Sequence, residues 1–403
     1  MEAYKMKSKL GMFIHWGIYS EFGRHEQVYA QNKMDREIYE AAAERFNPTE
    51  YDPEDWVKLA KDAGMEYICF TAKHHDGFCM WDTKYTDFKI TNTPYGKDTL
   101  RMLADACKKH GMKLSIYYSN PDWNYEYGYN PASTHQWCAK NQDAPNTERL
   151  VEYIKNQITE LLTNYGEIYT LFWDIPPHID DPSVNELVRS LQPNIFINDR
   201  GFDEGDFSTP ERDYQSLPSG RFTTATEACN SVGENSWGYR YDEDFFSVSY
   251  LLSAIDRIMA MGGSYLLNVG PDAKGRITPE YRERIARVGK WYNKMKECLK
   301  GNRESSFDYE VFKNNGIVNE NHGKTYFHFP DGLISSQLSL RKWQTLPKSV
   351  RLMNTGEELP FAVRKLPLLY YGENRTFPEL LQIREIPVDE LVGEPIVIEI
   401  EWN

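Results

Sequence analysis

The sequence predicts an α/β protein in which a TIM-like (β/α) barrel of seven or eight strands is followed by a C-terminal β-sandwich domain. Amphipathic segments alternate with short apolar runs over roughly the first 290 residues, which is typical of a parallel sheet. Polar and aromatic residues follow these apolar runs, as they do at the mouth of such a barrel. After about residue 300 the pattern changes to short runs with a period of two, which indicates an all-β unit. We therefore expect one domain over residues 1–303 and a second over residues 304–403.

In the first domain, strands and helices follow one another as regular units. The first clear unit is a helix over residues 53–63 with one apolar stripe, then Gly64 and a buried strand over residues 67–71. The other strands are predicted over residues 12–16, 113–118, 168–173, 195–198, 223–229 and 265–269, and the other helices over residues 99–110, 148–165, 184–191, 248–261 and 279–299. No G-x-G-x-x-G motif opens a helix after an early strand, so the pattern favours a barrel over a nucleotide-binding open sheet.

The second domain consists of short runs in which apolar and polar residues alternate. Each run is bounded by Gly, Pro, Asn or Asp. The predicted strands cover residues 324–329, 333–340, 349–353, 362–371 and 396–402. A small β-sandwich is the form that this pattern predicts.

Composition and charge exclude several classes of partner. The chain has 403 residues, and its 46 Lys and Arg against 60 Asp and Glu give a net charge of −14. This charge opposes binding to nucleic acid or to anionic lipid, and no apolar run approaches the ~18 residues of a membrane-spanning helix. Residues 1–10 lack the apolar core of a signal peptide, so we expect a cytoplasmic protein, or a periplasmic or secreted one if a leader has been removed. The six cysteines are scattered, and we expect them to be reduced.

Histidines and aromatic residues cluster at the predicted strand ends. His15 ends the first strand, where it is either a core histidine or a group that faces the barrel mouth. His74 and His75 follow the second strand; because neighbouring residues of a strand point to opposite faces, we expect that they do not ligate one metal ion. No metal or cofactor is therefore predicted. Tyr117 and Trp173 offer flat faces to a pyranose ring, which favours carbohydrate as the ligand.

Asp174 stands at the end of an apolar strand and just before a rigid pair of prolines. It either caps the next segment or is a positioned functional group, and the aromatic strand end favours the second interpretation. A nucleophilic carboxylate of a glycosidase needs a carboxylic acid about 5 to 5.5 Å away to protonate the leaving group. The long polar region over residues 201–239 supplies Glu211 and Glu227 as candidates, and Glu26 is a third. The residue pattern alone does not rank these three.

Several short motifs, taken together, connect this chain with a known family. They are Gly-Met-Phe-Ile-His-Trp-Gly-Ile-Tyr-Ser from Gly11, Thr-Ala-Lys-His-His-Asp-Gly-Phe from Thr71, Tyr-Tyr-Ser from Tyr117, Asp-Trp from Asp122, Asn-Asp-Arg from Asn198, Ser-Trp-Gly-Tyr from Ser236 and Leu-Leu-Asn-Val-Gly-Pro from Leu266. In this order and at these spacings the chain resembles glycoside hydrolase family 29, the α-L-fucosidases, over roughly residues 8 to 300. The resemblance implies a (β/α) barrel followed by a β-sandwich. It also implies metal-free, retaining hydrolysis of terminal α-L-fucosides, with a fucosylated oligosaccharide or glycoconjugate as the partner.

The resemblance also implies roles for individual residues. Asp174 matches the family's nucleophile, and Glu211 is the expected acid/base, with Glu227 as the alternative. The residues that match those holding the fucose are His15, Glu26, His74, His75, Tyr117, Arg200 and Trp237.

Three departures from the family pattern concern the choice of sugar. Gln27 stands where the family usually has Trp, the run Phe-Trp-Asp ending at Asp174 replaces Trp-Phe-Asp-Gly, and Pro176 and Pro177 stiffen a turn that is commonly rich in glycine. An α-L-galactosidase is one alternative function, because a pocket discriminates a hydroxymethyl from a methyl group by only about 10- to 200-fold. The other alternative is a catalytically impaired glycan-binding protein on a hydrolase barrel.

The loop over residues 124–146 follows the third predicted strand and has no regular pattern. Residues 125–129 and Trp137 either line the site of the leaving group or pack over the rim of the barrel, and the sequence favours neither. The fucosyl linkage and the oligomeric state are not predicted.

Overall fold

The N-terminal part of the protein is built on one parallel sheet. In the computed structural model, which describes residues 9–212, 220–365 and 379–403, its strands are β1 (Leu10–Ile14), β2 (Tyr67–Lys73), β3 (Lys113–Ser119), β4 (Ile168–Asp174), β5 (Phe196–Ile197), β6 (Glu227–Ser231) and β7 (Ser264–Val269). They pair in parallel in the order β5-β4-β3-β2-β1-β7-β6. The sheet curls, and the carboxyl ends of its strands lie at one end, where α/β proteins place their sites.

Helices connect these strands. In the described residues they are α1 (Val28–Gln31), α2 (Arg36–Glu40), α3 (Pro53–Asp62), α4 (Thr99–His110), α5 (Thr147–Asn164), α6 (Ser183–Leu191), α7 (Val248–Ala260) and α8 (Pro279–Leu299). Local chemistry explains where they begin and end. The Asp52 side chain accepts two backbone N–H groups at the start of α3, and Pro53 occupies its first turn. Asp98 caps α4 in the same way, and Gly111, with a φ of 64°, ends it.

The two faces of the parallel sheet carry different sets of side chains. One set, which includes Phe13 and Phe172, forms a small cluster inside the curl of the sheet. The other set, which includes Met12 and Trp173, belongs to the large apolar cluster that the sheet shares with the helices. A parallel sheet that is covered on both sides is apolar on both faces, and this is why its strands are unbroken apolar runs in the sequence.

Residues 206–212, named here the bridging segment, lie between the edge strands β5 and β6. The N–H of Asp199 donates to the carbonyl oxygen of Phe207 at 2.9 Å, and the N–H of Cys229 donates to that of Pro210 at 3.1 Å. Isolated parallel bridges pair Asn198 with Phe207, Ser208 with Thr226 and Glu211 with Cys229. The bridging segment thus connects the two edges of the sheet, and it holds Glu211 beside β6.

The C-terminal part consists of antiparallel strands. They are β8 (Arg303–Glu304), β9 (Glu310–Phe312), β10 (Ile317–Asn321), β11 (Lys324–Phe329), β12 (Leu338–Lys342), β13 (Pro347–Leu352), β14 (Phe361–Lys365), β15 (Glu379–Ile383) and β16 (Ile396–Trp402). One sheet has the order β13-β16-β11-β10-β8 and the other β14-β15-β12-β9. Phe327 and Ile398 of the first sheet and Leu340 and Leu381 of the second belong to one apolar cluster. The two sheets therefore share a core.

Helix α7 joins the two parts of the protein through buried polar contacts. His328 Nδ1 on β11 lies 2.8 Å from Asp256 Oδ1 on α7, and both side chains are fully buried. Asn319 Nδ2 donates to the carbonyl oxygen of Ala260 at 3.3 Å. Tyr326 of the antiparallel part belongs to the large cluster of the parallel part. The contact between the two parts is thus both apolar and hydrogen-bonded.

Parallel strands followed by antiparallel sheets are confirmed, and several elements have the predicted bounds. These are the helices over residues 99–110 and 279–299 and the strands over residues 324–329 and 396–402. The sequence missed short elements, among them α1, α2, β10 and β15, which carry no clear period. Residues 366–371 of the predicted strand over residues 362–371 lie outside the described residues. Five of the six cysteines are buried. Within the described ranges no helix combines the length and the apolar character needed to cross a membrane.

Candidate active site

A cavity of about 230 Å³ lies at the carboxyl ends of the parallel strands. It is lined by Phe13, His15, Glu26, Gln27, His74, His75, Tyr117, His135, Phe172, Asp174, Ile175, Arg200, Glu211, Cys229 and Trp237. This volume is below the 300 to 1,000 Å³ or so of pockets for drug-sized ligands, so the cavity suits a single small ring. A larger cleft of about 850 Å³, between α7 and the antiparallel sheets, contains none of the predicted site residues.

The cavity brings together most residues that the sequence analysis singled out. These are His15, Glu26, His74, His75, Tyr117, Asp174, Arg200, Glu211 and Trp237. Trp173 and Glu227 are absent from its wall. Although the wall contains both histidines and carboxylates, no three His, Cys, Asp or Glu side chains of the described residues are grouped so as to hold a metal ion.

Asp174 is the last residue of β4, and both of its oxygens are bound. Oδ1 accepts from Arg200 Nη1 at 3.0 Å, and Oδ2 accepts from the Tyr117 hydroxyl at 2.7 Å. His75 Nε2 lies 3.9 Å from Oδ2. Burial by itself would raise the pKa of Asp174, but His75, the permanent charge of Arg200 and the Tyr117 hydrogen bond outweigh burial and lower the pKa. Asp174 is therefore ionised at neutral pH.

Arg200 follows β5 and binds two carboxylates at once. Nη1 donates to Asp174, and Nη2 donates to Glu211 Oε2 at 3.1 Å and to the carbonyl oxygen of Thr209 at 2.7 Å. Both carboxyl groups are thus within a hydrogen bond of one guanidinium. The Glu211 side chain is 37% exposed against 13% for Asp174, so Glu211 has the easier exchange of protons with water.

His15 is held in one tautomer by Asn268. Asn268 Nδ2 donates to the carbonyl oxygen of Trp237 at 2.7 Å and to Ser231 Oγ at 3.0 Å, so Asn268 Oδ1 is the atom that lies 2.8 Å from His15 Nδ1. An amide oxygen only accepts, and His15 Nδ1 must therefore carry the hydrogen. Burial lowers the pKa of His15 to about 4. The ring is neutral at pH 7, and its Nε2 can accept a hydrogen bond from a ligand hydroxyl.

His74 and His75 both line the cavity, so the expectation that they face opposite sides is wrong. Strand β2 ends at Lys73, which means that strand alternation no longer applies, and the two ring centroids are 4.1 Å apart. His75 Nδ1 lies 2.7 Å from Ser119 Oγ, which itself donates to the carbonyl oxygen of Pro121. His74 Nδ1 is buried and has no hydrogen-bond partner among the described residues. Burial lowers the pKa of both rings, that of His75 to about 4, so both are neutral.

Glu26 and Trp237 form another part of the wall. Glu26 Oε2 accepts from the backbone N–H groups of Trp237 and Gly238, each at 3.0 Å. Burial would raise the pKa of Glu26, but backbone hydrogen bonding, first of all from Gly238, and the neighbouring His15 and His25 together outweigh burial and lower the pKa. The guanidinium of Arg212 lies 4.7 Å from the centroid of the Trp237 ring and holds it by a cation–π contact.

The turn after Asp174 contains a strained residue. Ile175 has a φ of 59°, in the left-handed region that β-branched residues avoid. Asn120 Nδ2 lies within 3.3 Å of the carbonyl oxygens of Asp174, Ile175 and Arg200, and it holds the turn in place. Glycine would adopt this positive φ without strain. Here the isoleucine side chain adds apolar surface to the cavity wall.

The expectation that Trp173 contacts a sugar is wrong. Its side chain is fully buried in the apolar cluster outside the sheet, and its Nε1 donates to Asn185 Oδ1 of α6 at 3.0 Å. Phe172 and Asp174 face the cavity, so the residue between them faces the helices. Because both faces of the sheet are apolar, the sequence does not reveal which face each residue of β4 occupies.

The structure also contradicts Glu227 as the alternative acid/base. Its carboxyl group is fully buried on β6 below the cavity wall, and Oε2 accepts from the Tyr67 hydroxyl at 2.6 Å. Oε1 has no hydrogen-bond partner among the described residues. Burial raises the pKa of Glu227 to about 7. A leaving group in the cavity does not reach this carboxyl group, so Glu227 is a buried polar group of the sheet interior.

Replacing Glu227 with glutamine is expected to stabilise the protein at pH 8 and to change its stability little at pH 5. The folded protein keeps this proton up to a pH of about 7, whereas the unfolded chain releases it near pH 4.5. Between these values the folded state binds more protons, so the wild type loses stability as the pH rises from 4.5 to about 7. Glutamine mimics the neutral form of the side chain. It therefore avoids the loss of unfolding free energy, which reaches at most about 3 kcal/mol in the wild type.

Urea unfolding of the wild type and Glu227→Gln at both pH values measures this difference in unfolding free energy. The same pH dependence in both proteins would contradict the prediction. Turnover is the control: it should stay close to that of the wild type, because Glu227 lies outside the cavity.

His135 is the polar cavity residue that the sequence analysis missed, and Phe13, Phe172, Ile175 and Cys229 of the wall were not predicted either. His135 lies in the loop over residues 124–146, has a φ of 58°, and its ring centroid is 5.4 Å from that of His75. Asn268 and Asn120, which orient His15 and the turn after Asp174, were also missed as part of the site. The available signal was a histidine in a long loop after a barrel strand, since such loops commonly carry function.

Comparisons with known proteins assign the chain to a family. A sequence model of the alpha-L-fucosidase family matches residues 2–297. The tissue alpha-L-fucosidase of Rattus norvegicus is 26% identical over 421 residues, which cover 92% of this chain and 86% of the relative. The tissue alpha-L-fucosidase of Homo sapiens is 26% identical over 331 residues, which cover 74% of this chain and 69% of the relative.

Solved structures are similar over nearly the whole chain. Alpha-L-fucosidase isoenzyme 1 from Paenibacillus thiaminolyticus has a TM-score of 0.85 and 31% identity, with 98% of this chain and 97% of that chain covered. An alpha-L-fucosidase from Bacteroides thetaiotaomicron, solved as a trapped covalent intermediate with 2-fluoro-fucosyl fluoride, has a TM-score of 0.77 and 26% identity, with 97% and 93% covered. The chain therefore belongs to the alpha-L-fucosidase family, glycoside hydrolase family 29, and the protein is a glycoside hydrolase.

Proposed function

We propose that the protein is a retaining exo-α-L-fucosidase that removes terminal α-L-fucose from fucosylated oligosaccharides or glycoconjugates. The pair of carboxyl groups carries the proposal: Asp174 is ionised, Glu211 is partly exposed, and both are bound by Arg200. Retaining glycosidases use such a pair, one group as nucleophile and the other as acid and base. The covalent intermediate described for the Bacteroides relative supports the same chemistry here.

In the first step, an Asp174 oxygen attacks the anomeric carbon of the fucoside. The bond from that carbon to the leaving oxygen breaks, and the leaving oxygen keeps the electron pair of this bond. Glu211 donates a proton to the same oxygen. A β-linked fucosyl ester of Asp174 results. Arg200 and Tyr117 hold the carboxylate in place for the attack, so little reorganisation is needed.

In the second step, Glu211 is a carboxylate and takes a proton from water. The water oxygen attacks the same carbon, the ester bond to Asp174 breaks, and α-L-fucose leaves. The relative exposure of Glu211 supports this double role, because the group must meet first the leaving group and then water. Two inversions at one carbon give net retention.

The fucose ring is held by neutral histidines and an ionised carboxylate in this proposal. His15, His74 and His75 present ring nitrogens to sugar hydroxyls, and Glu26 accepts from them. The Trp237 face and the aromatic inner cluster supply apolar surface for the 6-methyl group. The small cavity volume supports the exo mode, since it accommodates one ring.

Release of nitrophenol from 4-nitrophenyl α-L-fucoside, with and without EDTA, tests the proposal. We expect turnover that chelation does not reduce, because the proposed steps use carboxyl groups alone. The matching α-L-galactoside should react about 10- to 200-fold more slowly, because a hydroxymethyl group replaces the methyl group. Faster reaction of the galactoside would support the α-L-galactosidase alternative. Binding of fucosides without turnover would support the glycan-binding alternative.

We also propose that the parallel strands and the bridging segment close a (β/α) barrel within a catalytic domain over residues 1–303. The backbone bonds of the bridging segment to both edge strands support this. The antiparallel sheets would then pack as a β-sandwich domain over residues 304–403, which their shared apolar cluster supports. Strand β8 (Arg303–Glu304) lies at the boundary.

A further inference from the structure

Trp137 is a large aromatic side chain that the fold leaves exposed beside the cavity. It is 58% exposed, although burying a tryptophan would remove a large apolar area from contact with water. Its ring centroid is 4.7 Å from that of His135, which is part of the cavity wall, and the His135 ring is 5.4 Å from that of His75. The three rings form a continuous row from the inside of the cavity to its mouth.

The loop that carries His135 and Trp137 is held on one side by α2. Arg36 donates from Nη1 to the carbonyl oxygen of Trp123 at 2.8 Å and from Nη2 to that of Cys138 at 2.6 Å. Trp123 Nε1 in turn donates to the carbonyl oxygen of His135 at 2.7 Å. This bond holds His135 in its left-handed backbone conformation, which is unfavourable for residues other than glycine. A conformation of this kind persists where the surroundings impose it.

The same loop is tied to the turn that follows the proposed nucleophile. Ser133 Oγ donates to the carbonyl oxygen of Pro176, and Asn130 Nδ2 donates to that of Pro177, each at 2.7 Å. The loop and the turn after Asp174 therefore form one rigid unit. A rigid, exposed aromatic side chain is a good platform for a ligand because it loses little entropy on binding.

Tyr125 and Tyr127 of the same loop do not belong to the row of rings that includes Trp137. Tyr125 stacks on Tyr153 of α5 with the ring centroids 3.9 Å apart, and Tyr127 is packed against Tyr125. These side chains pack on the outside of the sheet. Of the two interpretations that the sequence left open, packing over the rim holds for Tyr125, whereas Trp137 is free to meet a ligand.

The row of rings lies on the side of the cavity where the leaving group must be. His135 lines the same cavity as Asp174 and Glu211, and its ring centroid is 5.4 Å from that of His75, whose Nε2 lies 3.9 Å from Asp174 Oδ2. It therefore lies near the carboxyl groups between which the scissile bond must sit. A group that leaves past Glu211 toward the cavity mouth passes His135 first and then Trp137.

We propose that His135 and Trp137 form the binding subsite for the leaving group, and that this group is a sugar ring. The inference rests on the proposed fucosidase function. The apolar C–H face of a pyranose packs on an indole face, and its hydroxyl groups find hydrogen-bond partners at an imidazole. The two side chains thus act on the choice of substrate and not on the chemistry at the anomeric carbon.

Two kinds of fucoside separate leaving-group binding from chemistry. α-L-Fucosyl fluoride has a leaving group too small to reach Trp137, whereas a fucosyl disaccharide fills the subsite. We expect Trp137→Ala to lower kcat/KM by about 3- to 10-fold for the best-cleaved of the α-1,2-, α-1,3-, α-1,4- and α-1,6-linked disaccharides. The kcat/KM for the fluoride should stay at the wild-type value. His135→Gly keeps the left-handed backbone without strain. Because His135 also lines the cavity beside His75, this variant should lower kcat/KM for both substrates, and for the disaccharide by the larger factor.

Tyr85→Ala is the matched control, because Tyr85 is also an exposed aromatic residue and lies outside the cavity wall. It should leave kcat/KM at the wild-type value for both the disaccharide and the fluoride. Equal losses on both substrates, or no loss on either, in the Trp137 variant would overturn the inference. So would a wild type that hydrolyses the fluoride and none of the disaccharides. A wild type that hydrolyses neither kind of fucoside would overturn the proposed function itself.

Discussion

Replacing Asp174 with alanine should reduce the turnover of α-L-fucosides by roughly 10³-fold or more, which corresponds to at least about 4 kcal/mol of transition-state stabilisation. The carboxylate held by Arg200 and Tyr117 is the proposed nucleophile, and alanine removes it while Arg200 keeps Glu211 as a partner. Initial rates with 4-nitrophenyl α-L-fucoside give the loss. Turnover near that of the wild type would contradict the assignment of Asp174.

Azide distinguishes a lost nucleophile from a lost fold in this variant. A small anion can occupy the space of the missing carboxylate beside Arg200 and attack the anomeric carbon directly. One displacement inverts that carbon, so the expected product is β-L-fucosyl azide, which nuclear magnetic resonance identifies. Asp174→Asn is the matched control: it keeps the shape of the side chain but has no charge, and it should be as inactive as the alanine variant without azide.

Replacing Glu211 with glutamine should lower kcat for disaccharide substrates by about 10²- to 10⁴-fold, because the leaving oxygen and the attacking water lose their proton donor and acceptor. With 4-nitrophenyl α-L-fucoside the first step needs little acid. We therefore expect a rapid release of about one nitrophenol per active site, followed by slow hydrolysis of the fucosyl-enzyme. Stopped-flow absorbance measures both phases. A single slow phase in the absence of a burst would count against the assignment.

Two comparisons make the Glu211 result specific. Azide should speed up the second step of Glu211→Ala and give α-L-fucosyl azide, because the anion attacks the fucosyl ester of Asp174 and two displacements retain the configuration. The opposite products of the two variants therefore assign the two roles independently. Glu227→Gln is the matched control, since it makes the same chemical change at a glutamate that lies outside the cavity wall, and its kcat should stay close to that of the wild type.

The regular elements of the protein could be predicted where the chain itself carries a strong period. The helix α8 (Pro279–Leu299) begins with proline in its first turn, and the strand β11 is bounded by Gly323 and Pro330, so both have the predicted bounds. The bridging segment shows no such pattern. Its backbone pairs with strands on either side through isolated bridges, and these depend on the curl of the whole sheet.

The site could be predicted where chemistry coincides with the end of a strand. His15 directly follows β1, Tyr117 lies two residues before the end of β3 and Asp174 ends β4, and they meet in the cavity as expected. Trp173 shows the limit of this reasoning. When a strand is apolar on both faces, its sequence does not reveal which residues face the cavity and which face the helices. His135 shows a second limit, because its place depends on side-chain contacts to Trp123 that no local rule predicts.

The buried pair of Asp256 and His328 has a consequence for shorter versions of the chain. A fragment that stops near residue 303 would keep every residue of the cavity wall but would leave Asp256 in α7 without its histidine and uncover the apolar surface that Tyr326 protects. Leaving a buried polar group without its hydrogen-bond partner costs about 1 to 3 kcal/mol, which is a large share of the stability of an ordinary protein. The antiparallel sheets therefore contribute to the stability of the part that carries the cavity, although none of their described side chains lines it.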